Sequence, residues 1–209
     1  AHRRDIGDSD NKMIKNIVLA SGSPRRRELL AGLGWEFRVE PSLITETKPE
    51  GETPAHLVKR LAFEKASEVA GRFPGNWVVG ADTVVAIDGM ILGKPKDEAE
   101  AKSMLRRLAG ATHSVFTGVA LIAPDGRSLA ETDETKVTFR PLSDEEISAY
   151  VACGESMDKA GAYAIQGRGT LLASRIEGCY FNVVGLPLFL LSRMFASMGA
   201  PLSAQWGNE

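Results

Sequence analysis

From Trp77 to Val85 the chain reads Trp-Val-Val-Gly-Ala-Asp-Thr-Val-Val, a nearly continuous run of apolar and small residues interrupted by one carboxylate. Such a run predicts a strand buried on both faces, which in turn requires covering elements above and below it. Asp82 is the anomaly. A charge at the centre of that strand suffers a desolvation penalty unless a metal, a cation or hydrogen-bond donors compensate it. Strongly perturbed carboxylates concentrate in active-site clefts, so a functional role is favoured for Asp82 over a structural one.

Around this strand the pattern alternates between strands and helices, with no internal repeat, low-complexity tract or long Pro/Ser linker. The class is α/β: a mixed sheet with helices at its faces and two lobes around a cleft. Ile17–Ala20 reads as a short strand, followed through Ser21-Gly22-Ser23-Pro24 by a helix running to about Leu33. A second helix begins at Thr53-Pro54 and runs to about Ala70, its buried stripe made of Leu57, Val58, Leu61, Ala62, Ala66 and Val69. Asp88-Gly89 predicts a hairpin into Met90–Leu92, and Asp97 caps a helix that stops at Gly110. Ser114–Ala123 and Ser128–Arg140 predict a long hairpin, and Ser143 with Glu146 forms a capping box for a helix closing near Gly154. Two more strands, Leu171–Ile176 and Cys179–Val184, are expected to turn at Glu177-Gly178 before a last helix over about Pro187–Met198.

A chain of 209 residues, 44% hydrophobic, suffices for one sizeable core or two closely packed lobes, and residues 13–209 are expected to form a single domain. Its 25 Lys and Arg against 27 Asp and Glu leave no global field to draw it to a nucleic acid polymer or an anionic membrane, so any anion site must be local. The two cysteines, Cys153 and Cys179, are too few for a disulfide framework and read as reduced thiols. The apolar stretch Val183–Leu191 is broken by Gly185 and Pro187 and falls short of the roughly 20 residues of a membrane helix. Residues 1–12 are polar, lack the apolar core of a secretory signal, and are expected to be a tail or extension ahead of Met13.

Ser21-Gly22-Ser23-Pro24-Arg25-Arg26 combines a helix N-terminus, hydroxyls and two guanidiniums, the parts of a triphosphate cradle. A plain Ser-Pro helix start with solvated arginines is an equally common local pattern. Arginines in a first helical turn oppose the helix dipole unless an anion joins them, which favours the cradle. Lys65 lies in register with Leu57 and Leu61, so its amine either snorkels past the stripe or meets an anion inside. Lys94, in Gly93-Lys94-Pro95, is a weak signal alone. Glu46 sits in an acidic loop with Glu50 and Glu52, and Asp158-Lys159 reads equally well as a surface ion pair.

Together with Gly80-Ala81-Asp82-Thr83-Val84-Val85, Asp158-Lys159-Ala160-Gly161-Ala162-Tyr163 and Asn182-Val183-Val184-Gly185-Leu186-Pro187-Leu188, these segments resemble the Maf family of nucleotide pyrophosphatases. The resemblance covers nearly everything after Met13, and five motifs in order make it specific. It implies the Maf and ITPase-like fold, two-lobed with an elongated, curved sheet, in a cytoplasmic homodimer that hydrolyses between the α and β phosphates of a nucleotide. It makes Asp82 the catalytic carboxylate, gives Glu46 a catalytic or metal role, and places Ser21, Arg25, Arg26, Lys65 and Lys94 around the phosphates. Glu46 and Asp82 are the implied ligands of a divalent cation, Mg²⁺ or alternatively Mn²⁺.

Ala162-Tyr163-Ala164-Ile165-Gln166-Gly167 resembles the dTTP/UTP branch of the family, with modified pyrimidine nucleotides as further substrates, and Arg25, Thr83 and Gln166 stand where substrate choice is made. Ala164 departs from a more usual glycine without changing that assignment. The Gln166 amide can donate to O4 and accept from N3–H of uracil or thymine, but guanine offers a similar pair, so pocket size must contribute. A nucleotide-binding regulator of cell division without turnover is the rival reading; a carboxylate beside a polyanion favours an enzyme. A kinase is disfavoured, because no Gly-x-x-x-x-Gly-Lys-Ser/Thr loop occurs.

Overall fold

The computed structural model describes residues 14–207, so the tail expected over residues 1–12 lies outside the described residues. The elements run β1 (Ile17–Leu19), α1 (Pro24–Ala31), β2 (Phe37–Val39), α2 (Pro54–Arg72), β3 (Trp77–Ile87), β4 (Met90–Leu92), α3 (Glu98–Leu108), β5 (Thr112–Ile122), β6 (Ser128–Phe139) and α4 (Asp144–Ala152). After two short 3-10 turns, Ala160–Ala162 and Gly167–Leu171, come β7 (Ala173–Glu177), α5 (Tyr180–Val184), α6 (Leu188–Ser197) and α7 (Leu202–Trp206). Seven strands form one mixed sheet in the order β2-β1-β3-β5-β6-β7, with β4 also on β3. β1 pairs in parallel with β2 and β3, and the other pairings are antiparallel.

The helix ends follow the local chemistry. Ser23, Thr53 and Asp97 cap α1, α2 and α3 through their side-chain oxygens, and Ser143 with Glu146 completes a capping box on α4. All six stripe residues of α2 are buried.

Strand β3 is where the fold divides. On one edge it pairs continuously with β5, from Val78 to Ala86. On the other edge β1 reaches only Val79, and β4 begins at Val85. Between them Gly80–Val84 has no strand partner on that side, and this opening is the root of a cleft.

Side chains alternate across the sheet, so one face of β3 packs on α2 through Val78 and Val84, while the other carries Val79, Ala81 and Val85 into two separate cores. One core gathers Leu30, Leu121, Leu191 and Phe195; the other gathers Leu105, Leu108, Val115, Phe139 and Ile147. A polar seam divides them, in which Thr83 and Thr117 hydroxyls meet at 2.8 Å and Thr117 Oγ1 donates to the Asn182 carbonyl at 3.3 Å. The two expected lobes are these two cores.

Helix α2 bridges both lobes at very close range. A Cβ on Gly80 would lie 2.5 Å from the Ala62 carbonyl oxygen, and one on Gly118 would lie 2.1 Å from that of Val58. Only glycine lets helix and sheet backbones approach this far.

The expected strand Cys179–Val184 is a correction: Tyr180–Val184 is helix α5. Its aromatic and β-branched composition suits a strand, but long-range hydrogen bonds decide the conformation. Buried Asn182 donates through Nδ2 to the Val115 carbonyl at 3.1 Å and to Thr135 Oγ1 at 2.9 Å, while the Cys179 N–H donates to Thr135 Oγ1 at 3.1 Å. The preceding strand starts at Ala173, after a 3-10 turn, instead of at Leu171. Strand β2 and helix α7 have no counterpart in the sequence reading. Both cysteines are free thiols. Among the described residues, no helix is long and apolar enough to cross a membrane.

Candidate active site

The unpaired stretch of β3 forms one wall of a cavity of about 590 Å³, within the range of ligand pockets. The α1 N-terminus contributes Gly22 to Arg26, the loop after β2 contributes Glu46 and Lys48, and α2 contributes Lys65. The second lobe contributes Lys94, Asp158, Lys159 and Tyr163 to Gln166, and the α5 end contributes Val183 to Gly185. Six cationic side chains line it (Arg25, Arg26, Lys48, Lys65, Lys94, Lys159) against three carboxylates (Glu46, Asp82, Asp158). The chain as a whole carries a formal charge of −2, so this is the local positive field that an anion site requires.

At its centre Lys65 Nζ lies 2.8 Å from Asp82 Oδ1 and 2.8 Å from Glu46 Oε1. The side chains of Lys65 and Asp82 are only 16% and 13% exposed, so the amine inside the α2 stripe meets anions and does not snorkel. Burial would raise the Glu46 carboxyl, but its hydrogen bond to Lys65 and the charges of Lys65, Lys48 and Lys94 hold it below its ordinary value. The Glu46 loop has no regular secondary structure and is tied to α2: Arg60 pairs with Glu52 at 2.7 Å and donates to the Thr47 carbonyl at 2.7 Å.

Arg26 is half-buried and largely committed to protein partners. It donates through Nε to the Gly185 carbonyl at 2.7 Å, through Nη1 to Ser21 Oγ at 3.0 Å and through Nη2 to Thr83 Oγ1 at 3.0 Å. Burial pulls its pKa down to about 10, so it remains charged at neutral pH. Arg26 thereby fixes α1 to the polar seam while still lining the cavity. Arg25 reaches across the cleft, its Nη1 3.7 Å from Asp158 Oδ2, and Asp158 also pairs with Lys159 at 2.8 Å.

The structure thus brings Arg25, Arg26, Glu46, Lys65, Asp82, Thr83, Lys94 and Gln166 to one cavity. Ser21 is not in the lining; its Oγ accepts from Arg26 and from the Ser23 N–H at 3.3 Å. Lys48 and Lys159 are additions. Lys48 lies two residues after Glu46 in a segment without regular secondary structure, where nothing local marks it.

Below Tyr163, His113 is 2% exposed, its Nε2 lies 2.7 Å from the Tyr163 hydroxyl, and its Nδ1 has no hydrogen-bond partner among the described residues. Burial lowers its pKa from 6.5 to about 4, because protonation would place a charge and an unpaired N–H in the core. The unfolded chain therefore binds one more proton between these values, and stability rises with pH across that window. Moving from pH 7.5 to pH 4.5 should cost about 3 kcal/mol through this group. Urea unfolding of wild type and His113→Gln at both values checks this; equal pH slopes in the two proteins would contradict it.

The sequence model of the family described as Maf-like protein matches residues 16–198. The dTTP/UTP pyrophosphatase of Symbiobacterium thermophilum is 50% identical over 189 residues, covering 90% of this chain and 97% of the relative. That of Geobacter sulfurreducens is 56% identical over 173 residues, covering 82% and 91%. That of Geobacter metallireducens is 54% identical over 186 residues, covering 88% and 96%.

Proposed function

The chain belongs to the Maf family, and on that premise we propose that it is a nucleoside triphosphate pyrophosphatase that hydrolyses dTTP and UTP, and related modified pyrimidine nucleotides, to the monophosphate and pyrophosphate. The observation that carries this reading is the pair of carboxylates, Glu46 and Asp82, meeting at Lys65 inside a cavity whose charged lining is mostly cationic. A site that only holds a polyanion has little use for carboxylates beside it unless a metal bridges them, whereas a site that activates water beside that polyanion uses one as proton acceptor.

Arg25, Arg26, Lys48, Lys65 and Lys94, with the α1 N-terminus, neutralise and orient the phosphate chain, so that the α phosphorus faces the acidic pair. Asp82 accepts the proton of the attacking water, and the lysines stabilise charge moving onto the departing pyrophosphate. Glu46, held ionised by Lys65, is the second acceptor within reach.

Glu46 and Asp82 also suit a hard divalent cation such as Mg²⁺ or Mn²⁺, since two carboxylates meeting at one positive centre are the donors such an ion takes alongside phosphate oxygens. Among the described residues no cluster of three or more His, Cys, Asp or Glu is arranged to hold an ion, so substrate oxygens complete the set. When bound, the ion neutralises charge developing on the phosphates.

Gln166 presents an amide matching uracil or thymine, beside Ala164, Ile165, Val183 and Val184. The relatives named dTTP/UTP pyrophosphatase support this base preference. A single domain over residues 13–209, a cytoplasmic setting and a homodimer belong to the same proposal. The two free thiols suit the reducing setting of that proposal.

Incubation with UTP and Mg²⁺, with the products separated and quantified, tests the reaction. UMP and pyrophosphate are expected in equal amounts. Orthophosphate as the primary product would overturn the site of cleavage, and tight binding without turnover would favour a nucleotide-binding regulator.

A further inference from the structure

Segment 164–169, which carries Gln166, closes on itself. A Cβ on Gly169 would stand 1.8 Å from the Ala164 carbonyl oxygen, so the two ends are in backbone contact, and Thr170 Oγ1 donates to the Ile165 carbonyl at 3.0 Å. One carboxylate ties both ends. Glu155 Oε2 accepts the Arg168 N–H at 3.0 Å, and Oε1 accepts the Gly169 N–H at 3.1 Å. Oε1 also accepts the Tyr150 hydroxyl at 3.1 Å, and that oxygen in turn accepts the Ala164 N–H at 3.1 Å.

Glu155 is absent from the cavity lining. Its main chain is nonetheless linked to the charged wall, since Lys159 Nζ donates to the Glu155 carbonyl at 2.9 Å and lines the cavity. Burial would raise its carboxyl, but the Arg168 and Gly169 N–H groups, the Tyr150 hydroxyl and the Lys159 charge together hold it below its ordinary value.

We infer that Glu155 is a positioning residue for base selection: with Tyr150 as its relay, it fixes the backbone from which Gln166 reads the pyrimidine. The inference rests on the reading of Gln166 as the base-recognising side chain. Uracil presents an acceptor at O4 and a donor at N3, whereas cytosine presents a donor and an acceptor at the matching positions. Turning the amide over exchanges its donor and acceptor, so the contact to uracil also depends on the amide's reach and angle to the base edge, which the position of its backbone sets. Three bonds from ionised Glu155 hold it. Glutamine would replace one accepting oxygen by an NH₂ group that faces an N–H or a hydroxyl donor.

The test measures kcat and KM for UTP and CTP, with melting temperature, in wild type, Glu155→Gln, Tyr150→Phe and Gln166→Ala. Glu155→Gln is expected to raise the UTP KM about tenfold, change kcat less than about threefold, and lower the UTP-over-CTP preference about tenfold. Tyr150→Phe, which keeps the packed ring, should move the same ratio in the same direction by a smaller factor. Should Glu155→Gln fail to fold, the Tyr150→Phe ratio decides alone. A lower melting temperature with an unchanged UTP-over-CTP ratio overturns the proposal, because a merely structural role does not alter base preference. An unchanged ratio in Gln166→Ala removes the reading beneath it, and the proposal falls with it. A shift in Gln166→Ala alone overturns the Glu155 proposal and leaves the base reading standing.

Discussion

Asp82→Asn is expected to lower the turnover of UTP by at least about a hundredfold, and by up to about ten-thousandfold, while the chain remains folded. Asparagine keeps the size of the side chain and most of its hydrogen-bonding capacity, but it cannot take a proton from water at neutral pH. The fold tolerates the change because Lys65 keeps Glu46 as a partner at 2.8 Å, so no cation is stranded. Nucleotide affinity should hold or tighten, since one negative charge is removed beside a polyanion. Turnover, affinity and melting temperature measured on one preparation separate these effects. Near-wild-type turnover in a folded protein would pass the proton-accepting role to Glu46, the first residue to substitute next.

The largest effect on stability is expected from Gly118→Ala. The added Cβ would sit 2.1 Å from the Val58 oxygen, 2.2 Å from its carbonyl carbon and 2.5 Å from the Lys59 nitrogen. All three are backbone atoms, so no rotamer change relieves the collision, and α2 must lift from the sheet. A loss of about 3 kcal/mol, or roughly 10 °C in melting temperature, follows from overpacking of this kind. Lifting α2 also draws Lys65 away from Asp82, so turnover should fall with stability. Gly71→Ala is the control: it lies on the same helix with no atom near its added Cβ, and it should be neutral or slightly stabilising. A Gly118→Ala protein that melts within a degree or two of wild type would refute the contact.

Much of this molecule was legible locally. The caps at Ser23, Thr53, Asp97 and Ser143 and the apolar stripe of α2 are short-range patterns, and the helices form where those patterns place them. The β3 run and its misplaced carboxylate were equally plain, because the desolvation cost of an aspartate inside such a run favours a functional role. Where the sequence misled, at Tyr180–Val184, the conformation depends on Val115 and Thr135, residues on other strands that no local window contains.

The acidic pair itself was decided only in three dimensions. Glu46 stands in a loop without periodicity, where nothing local distinguishes it from Glu50 or Glu52, and it was singled out by family resemblance alone. Lys65 was ambiguous between solvent and an internal anion until β3 placed Asp82 beneath it and Arg60 drew the Glu46 loop over it. Ser21, Arg26 and Thr83, expected from the sequence as phosphate or specificity residues, also hydrogen-bond to one another and hold α1 against the sheet. By itself the sequence determined most of the helices and strands and that one carboxylate stands inside an apolar strand, because caps, periodicity and desolvation act over a few residues. The tertiary structure decided which charges share that centre, because Coulomb and hydrogen-bond energies depend on distance through space, which spacing along the chain does not encode.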